Sequence, residues 1–127
     1  MFWEVVLVLH CRLGGQVVSQ YIGPFTCQVS HEDGQVVVSP RGELDMATVG
    51  AVDKELQQLR QSGVAAIVLD LAGLTFMDSS GLHLIARWTN EASKDGFVFE
   101  LEPGPPMVQR IFDLAAVTDS LPWRRQD

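Results

Sequence analysis

The stretch Thr75-Phe76-Met77-Asp78-Ser79-Ser80-Gly81-Leu82 decides how this chain is read. It follows an unbroken apolar run at residues 64–69 and opens a segment with helical periodicity. A short apolar run bounded by turn residues predicts a strand covered on both faces or nearly so. Asp78 and Ser79 then stand at a strand-to-helix turn. The first amides of a helix lack intrahelical partners, and the helix dipole favours negative charge there. A carboxylate and two hydroxyls at such a place can cap the helix or make room for a phosphate.

Upstream of this turn, residues 25–30 and 35–39 read as two strands of a hairpin, joined by His31-Glu32-Asp33-Gly34. Pro40-Arg41-Gly42-Glu43-Leu44-Asp45 leads into a first helix, with Asp45 as its expected N-cap and Gly63 as its end. Val49, Val52, Leu56 and Leu59 form one apolar stripe along it. A second helix is expected from Ser79 to about Ser93, with Leu82, Ile85, Ala86 and Thr89 facing inward and Asp95-Gly96 as its stop. Residues 97–101 read as a further strand. Pro103-Gly104-Pro105-Pro106 turns the chain into a third helix with Val108, Ile111 and Phe112 inward. The order ββαβαβα predicts an α/β fold, a mixed sheet of four strands or slightly more with helices packed against it.

Residues 1–24 stand apart from this regular pattern. Phe2 to Leu9 is nearly all apolar and rich in β-formers, Gly14-Gly15 is a turn signal, and residues 16–22 read as a returning strand. The expected organisation is an N-terminal extension at 1–24 and one domain at 25–127. The extension reads as an extra hairpin, as a homodimer contact through Phe2, Trp3, Val5 and Leu7, or as translated sequence upstream of the true start.

Composition narrows the function. A chain of 127 residues suits one domain, and 46% hydrophobic with 20% charged residues suits a globular core. The net charge of -7 argues against direct nucleic-acid binding, which needs a basic patch. No apolar run approaches the ~18–20 residues that insert across a membrane. Glu4 stands where a signal peptide carries positive charge, so a cytoplasmic location is expected. Cys11 and Cys27 make no disulfide framework and lack the spacing of a metal site, so free thiols, no metal and no cofactor are expected.

Asp78, Ser79 and His83 include the ingredients of a hydrolytic triad, but Asp78 adjoins Ser79 and is poorly placed to orient His83. Met77 replaces the first glycine of a nucleophile elbow. Nucleotide-binding glycine motifs are missing from the sequence. No catalytic residue is therefore assigned.

Gly42-Glu43-Leu44-Asp45, the apolar strand, Phe76-Met77-Asp78-Ser79-Ser80-Gly81-Leu82 and Val108-Gln109-Arg110-Ile111-Phe112-Asp113-Leu114 follow one another in order. This set closely resembles the STAS domain over about residues 25–123, and within that family the free-standing anti-sigma factor antagonists of bacteria. The resemblance implies a small mixed sheet with helices mainly on one face. It implies that Ser79 is phosphorylated by an anti-sigma factor that is itself a GHKL-type Ser/Thr kinase. It implies that the unphosphorylated form binds that factor and frees sigma, and that a PP2C-type phosphatase reverses the mark. The partner face carried over is Asp45, Asp78, Ser79, Ser80, Gly81 and His83. The alternative is another STAS role, a stressosome-type scaffold or a lipid-transport accessory subunit, with no sigma-factor partner. Two departures from the family pattern stand out: His83 where a small residue is common, and Ala115-Ala116-Val117 where the turn after the third helix often has glycine.

Overall fold

The computed structural model describes residues 25–124 in full and the backbone pairing of residues 11–13 and 16–20. Phe2 to Leu9, expected as a strand, and the end of the returning strand at Ile22 lie outside the described residues. The described chain forms strands β1 (Cys11–Leu13), β2 (Gln16–Gln20), β3 (Thr26–Glu32) and β4 (Gln35–Leu44), then helix α1 (Val49–Gln61). Strands β5 (Ala66–Asp70) and β6 (Leu74–Met77), helix α2 (Ser79–Asp95), strand β7 (Val98–Glu102) and helix α3 (Pro106–Leu114) follow. A 3₁₀ turn at Thr118–Ser120 closes the order.

The sheet is mixed, with strand order β1-β2-β3-β4-β5-β7 and β6 on β4. The first four strands run antiparallel. The pairs β4–β5 and β5–β7 are parallel, joined by helical crossovers as parallel strands require. Thus the expected four strands (β3, β4, β5 and β7) are present, and the sheet is larger by the β1–β2 hairpin and by β6. The β1–β2 pair joins residues 11–13 to residues 16–18. That register sets Cys11 opposite Val18, and Gln28 opposite Val18 on the other side. Two strand spacings, about 10 Å, then separate β1 from β3, too far for a Cys11–Cys27 disulfide without backbone movement.

Strand β4 runs past Ser39, where Pro40-Arg41-Gly42 had suggested a break. On one side it stays paired with β3 through Arg41. On the other it pairs with β5 only at residues 36–38 and with β6 only at residues 42–44. Pro40 therefore lies where β4 faces neither partner on that side, so its missing N–H breaks no ladder there. Gly42, at φ +106, and a register shift between Gly42 and Glu43 bend the strand toward its second neighbour. β6 has the burial pattern in–out–out–in rather than alternation, which is why its sequence read as a turn.

The core lies between the sheet and the helices. Val36, Val38, Ile67, Leu69, Phe99 and Leu101 meet Val52, Leu56, Leu84, Ile85, Trp88, Val108 and Phe112 in one cluster. Val37 and Val68 alternate to the opposite face and are buried too, at 6% and 0% exposure, outside that cluster. The α1 stripe is as expected, but Asp45 does not cap this helix. Thr48 is its N-cap position, and Asp45 instead heads a turn just before it. On α2 the inward face is Gly81, Leu84, Ile85, Trp88 and Ala92. Of the expected stripe only Ile85 is fully buried; Leu82 and Thr89 are half-buried and Ala86 is exposed. Asp53 of α1 ties α2 down by accepting from Trp88 Nε1 at 2.7 Å and from Arg87 at 2.7 Å.

Ala116, in the turn after α3, holds φ +57, a conformation that L-residues other than glycine and asparagine avoid. Replacing Ala116 with Gly should relieve about 1–2 kcal/mol of backbone cost against about 0.4–1 kcal/mol of added unfolded-state entropy. The expected result is a melting temperature a few degrees higher; an unchanged or lower value would show that the turn is not strained.

Cys27 is fully buried in the core, and burial, reinforced by the Glu55 carboxylate, pushes its thiol well above the usual range. The folded state therefore keeps a proton that the unfolded chain releases above about pH 8.5. Stability is unaffected by this group below that pH and falls as pH rises above it, by up to about 1.4 kcal/mol per pH unit. Denaturant titrations between pH 7 and 10 should show this slope in the native chain and lose it in Cys27→Ala. Equal slopes would remove Cys27 as the cause.

Candidate functional site

The parallel pairing of β4 with β6 builds the site. Leu44 pairs with Met77, so the next residues, Asp45 and Asp78, emerge side by side from the same end of two adjacent strands. The Asp78 N–H donates to the Leu44 carbonyl at 3.2 Å and fastens the two exits together.

Beyond Met77 the chain enters α2 at once. Asp78 is the N-cap, extended at φ -110 and ψ -169, and its Oδ1 accepts from the Ser80 N–H at 2.8 Å. The Asp78 carbonyl accepts from the N–H groups of Gly81 and Leu82 at 3.1 and 3.3 Å. Asp78 thus engages three of the first amides of α2. The sequence had suggested free N–H groups at this turn; Asp78 takes up those of Ser80 and Gly81, and among the described residues the Ser79 N–H has no acceptor. Ser79, the first helical residue, is exposed, while Asp78 and Ser80 are half-buried.

Gly81 is buried in the first turn of α2. A Cβ built on it would lie 2.5 Å from Met77 Cγ, 2.9 Å from Met77 Sδ and 3.0 Å from Leu44 Cδ2. Only glycine lets the helix tip sit this close to the ends of β4 and β6, so Gly81 sets the height at which Ser79 is presented.

Asp45 is held by its own loop. Its Oδ1 accepts from the N–H groups of Ala47 and Thr48 at 2.9 and 3.2 Å. Thr48 Oγ1 donates to the Glu43 carbonyl at 2.7 Å and accepts from the Asp45 N–H at 3.0 Å. This side-chain turn explains why Asp45 stops short of capping α1. It also gives Thr48 a positioning role that composition alone did not reveal. Met46, at the tip of the loop, is 81% exposed, an apolar side chain offered to solvent beside the two carboxylates.

His83 is exposed one helical turn beyond Ser79. Among the described residues no hydrogen bond joins it to Ser79 or to Asp78. It borders an open groove of about 460 Å³ between α2 and the segment after α3, lined also by Leu82, Ala86, Val117 and Leu121. The site is therefore a convex tip rather than an enclosed pocket. It presents the exposed Ser79 hydroxyl and two carboxylates locked by backbone amides, and among the described residues no base is aimed at that hydroxyl.

A mixed sheet with helices on one face and an exposed serine at a helix tip make this a small α/β domain. The family model for the STAS domain matches residues 26–126, and the chain belongs to that family. An anti-sigma F factor antagonist of Paenibacillus polymyxa is 32% identical over 97 residues, covering 75% of this chain and 82% of that protein. An anti-sigma-B factor antagonist of Staphylococcus epidermidis is 29% identical over 94 residues, covering 72% and 83%. Among solved structures, an anti-sigma factor antagonist from Mycobacterium paratuberculosis superposes with a TM-score of 0.72 at 27% identity, covering 82% of this chain and 90% of that one. No helix among the described residues is long and apolar enough to cross a membrane.

Proposed function

We propose that this chain is an anti-sigma factor antagonist that works by partner exchange. The unmodified form binds an anti-sigma factor through Asp45, Asp78, Ser79, Ser80 and His83, with Gly81 holding the helix tip in place. Binding frees a sigma factor. The anti-sigma factor is a GHKL-type kinase that phosphorylates Ser79, and a PP2C-type phosphatase restores the binding form in the cytoplasm. The chain is a binding protein and not an enzyme.

One observation carries this reading: the Leu44–Met77 pairing sets Asp45 beside Asp78 with Ser79 exposed between loop and helix. An exposed hydroxyl at a helix tip is open to a kinase, and rigid carboxylates beside it give a partner fixed acceptors. The names of the relatives support the choice of partner. The absence of a base facing Ser79 among the described residues favours a phosphoacceptor over a nucleophile.

The test is incubation with a purified GHKL-type anti-sigma kinase and labelled ATP. One phosphate per chain, lost in Ser79→Ala and kept in Ser80→Ala, is the expected result. Label lost only in Ser80→Ala would move the acceptor by one residue. Tight binding without any label would favour the scaffold role.

A further inference from the structure

Two of the large apolar side chains that stand exposed among the described residues, Met46 at 81% and Phe76 at 41%, belong to the joined ends of β4 and β6. Phe76 pairs with Glu43, one step before the Leu44–Met77 pair. Leu44 and Met77 are buried, whereas Glu43 and Phe76 are exposed. Met46 follows Asp45 directly, and Phe76 precedes Asp78 by two residues, so apolar groups bracket the two carboxylates of the tip. Met46 is also held in place. Asp45 Oδ1 accepts from the N–H groups of Ala47 and Thr48, and Thr48 Oγ1 donates to the Glu43 carbonyl. These bonds close the loop on both sides of Met46, so little ordering is left for a partner to impose.

We propose that Met46 and Phe76 form an apolar anchor for the anti-sigma factor, seated against an apolar side chain of that factor with Lys or Arg beside it. The inference rests on the partner-exchange reading and adds the chemistry that selects the partner. Charge decides the occupant. The carboxylates of Glu43, Asp45 and Asp78 outweigh one exposed cation, Arg41, two residues back on β4, and the whole chain carries -7. A cationic surface is therefore drawn in. A second copy would bring the same carboxylates to a two-fold contact, like charge against like. An anionic lipid surface meets the same repulsion. A small apolar centre within a polar rim concentrates binding energy in few side chains, and a thioether adapts its shape to the contact.

Binding kinetics of the unphosphorylated full chain with a purified GHKL-type anti-sigma kinase that labels Ser79 test the proposal. Met46→Ser should weaken binding about 10- to 30-fold, mainly through faster dissociation. Met46→Leu should keep most of the affinity, and Phe76→Thr should weaken it in the same direction. Met46→Ser should melt within a few degrees of the parent, because the side chain it removes is exposed. Added salt should slow association of the parent and of Met46→Ser alike, the signature of a cationic partner surface. Unchanged affinity in either Met46→Ser or Phe76→Thr, or association indifferent to salt, would overturn this inference and leave the switch at Ser79 standing. A parent chain that such kinases neither bind nor phosphorylate would overturn both. A dimer in sedimentation that Met46→Ser dissolves would assign the patch to a second copy and overturn it too.

Discussion

Phosphorylated Ser79 is expected to lose the anti-sigma factor by about 100-fold or more while the domain melts within a few degrees of the unmodified form. The phosphate adds about -1.5 to -2 charges at pH 7. Its effect on the fold is small because opposing contributions are similar. The N-terminus of α2 favours the charge by ~0.3–1 kcal/mol. Asp78 opposes it by roughly 0.8 kcal/mol per unit charge at ~5 Å in a water-like dielectric. The site geometry sharpens this balance. Asp78 already engages the amides of Ser80, Gly81 and Leu82, so a phosphate on the exposed Ser79 finds little of the first turn open beyond the Ser79 N–H and stays at the solvent side of the tip. A docking partner meets a different cost. Covering a near-dianion requires its desolvation, several kcal/mol without a compensating cation, and each 1.4 kcal/mol is tenfold in affinity. Ser79→Asp should weaken binding in the same direction, and Ser79→Ala should bind yet resist inactivation. Calorimetric titration of both forms against the anti-sigma factor checks this. Equal affinities would sink the switch, and a large drop in melting temperature would point to refolding instead of blockade.

Gly81→Val is expected to destabilise the domain by about 3 kcal/mol and to lower its melting temperature by about 10 °C. A first β-carbon already falls 2.5 Å from Met77 Cγ, and Leu44 closes the other side. Both neighbours are buried, at 1% and 0% exposure, so neither yields without moving a strand end. Gly81→Ala is the milder case. Its gain in helix propensity, about 0.8–1 kcal/mol, offsets part of an overpacking cost of about 1–3 kcal/mol. In both variants the helix tip must rise from β6 and carry Ser79 with it, so partner binding should weaken more than the fall in stability alone explains. Thermal unfolding followed by circular dichroism, with affinity measured well below the transition, separates the two effects. A Gly81→Val domain that melts like the parent would show that the first turn of α2 is loosely packed.

Much of the fold was legible because its periods are clean. Residues 26–30 alternate between half-buried and buried, and the run at 66–70 is apolar in its interior as a central strand requires. The stops at Gly63 and Gly96 follow directly from residue type. Three features resisted. β6 is four residues long without alternation, and its existence depends on a partner strand far away in sequence. The continuation of β4 through Pro40 depends on which neighbour lies where, which no local pattern encodes. The inward face of α2 is set by the close approach of Gly81 and by Trp88 reaching Asp53, so a stripe drawn through Leu82 and Ala86 is rotated from the true one. At the site, Ser79 and Asp78 could be placed from the turn alone. The adjacency of Asp45 required the parallel register, and the lock by Thr48 required the loop conformation.

The engagement of most of the α2 tip by Asp78 has a consequence for how the module stores a signal. A domain whose backbone offers the added group little beyond one amide has little conformational memory of it. On the proposed mechanism the record is one ester bond, and only the surface of the reader distinguishes its two values. The lifetime of the signal then belongs to the enzymes that write and erase it, and any protein that docks on this tip reads the same bit without the domain changing shape between readers.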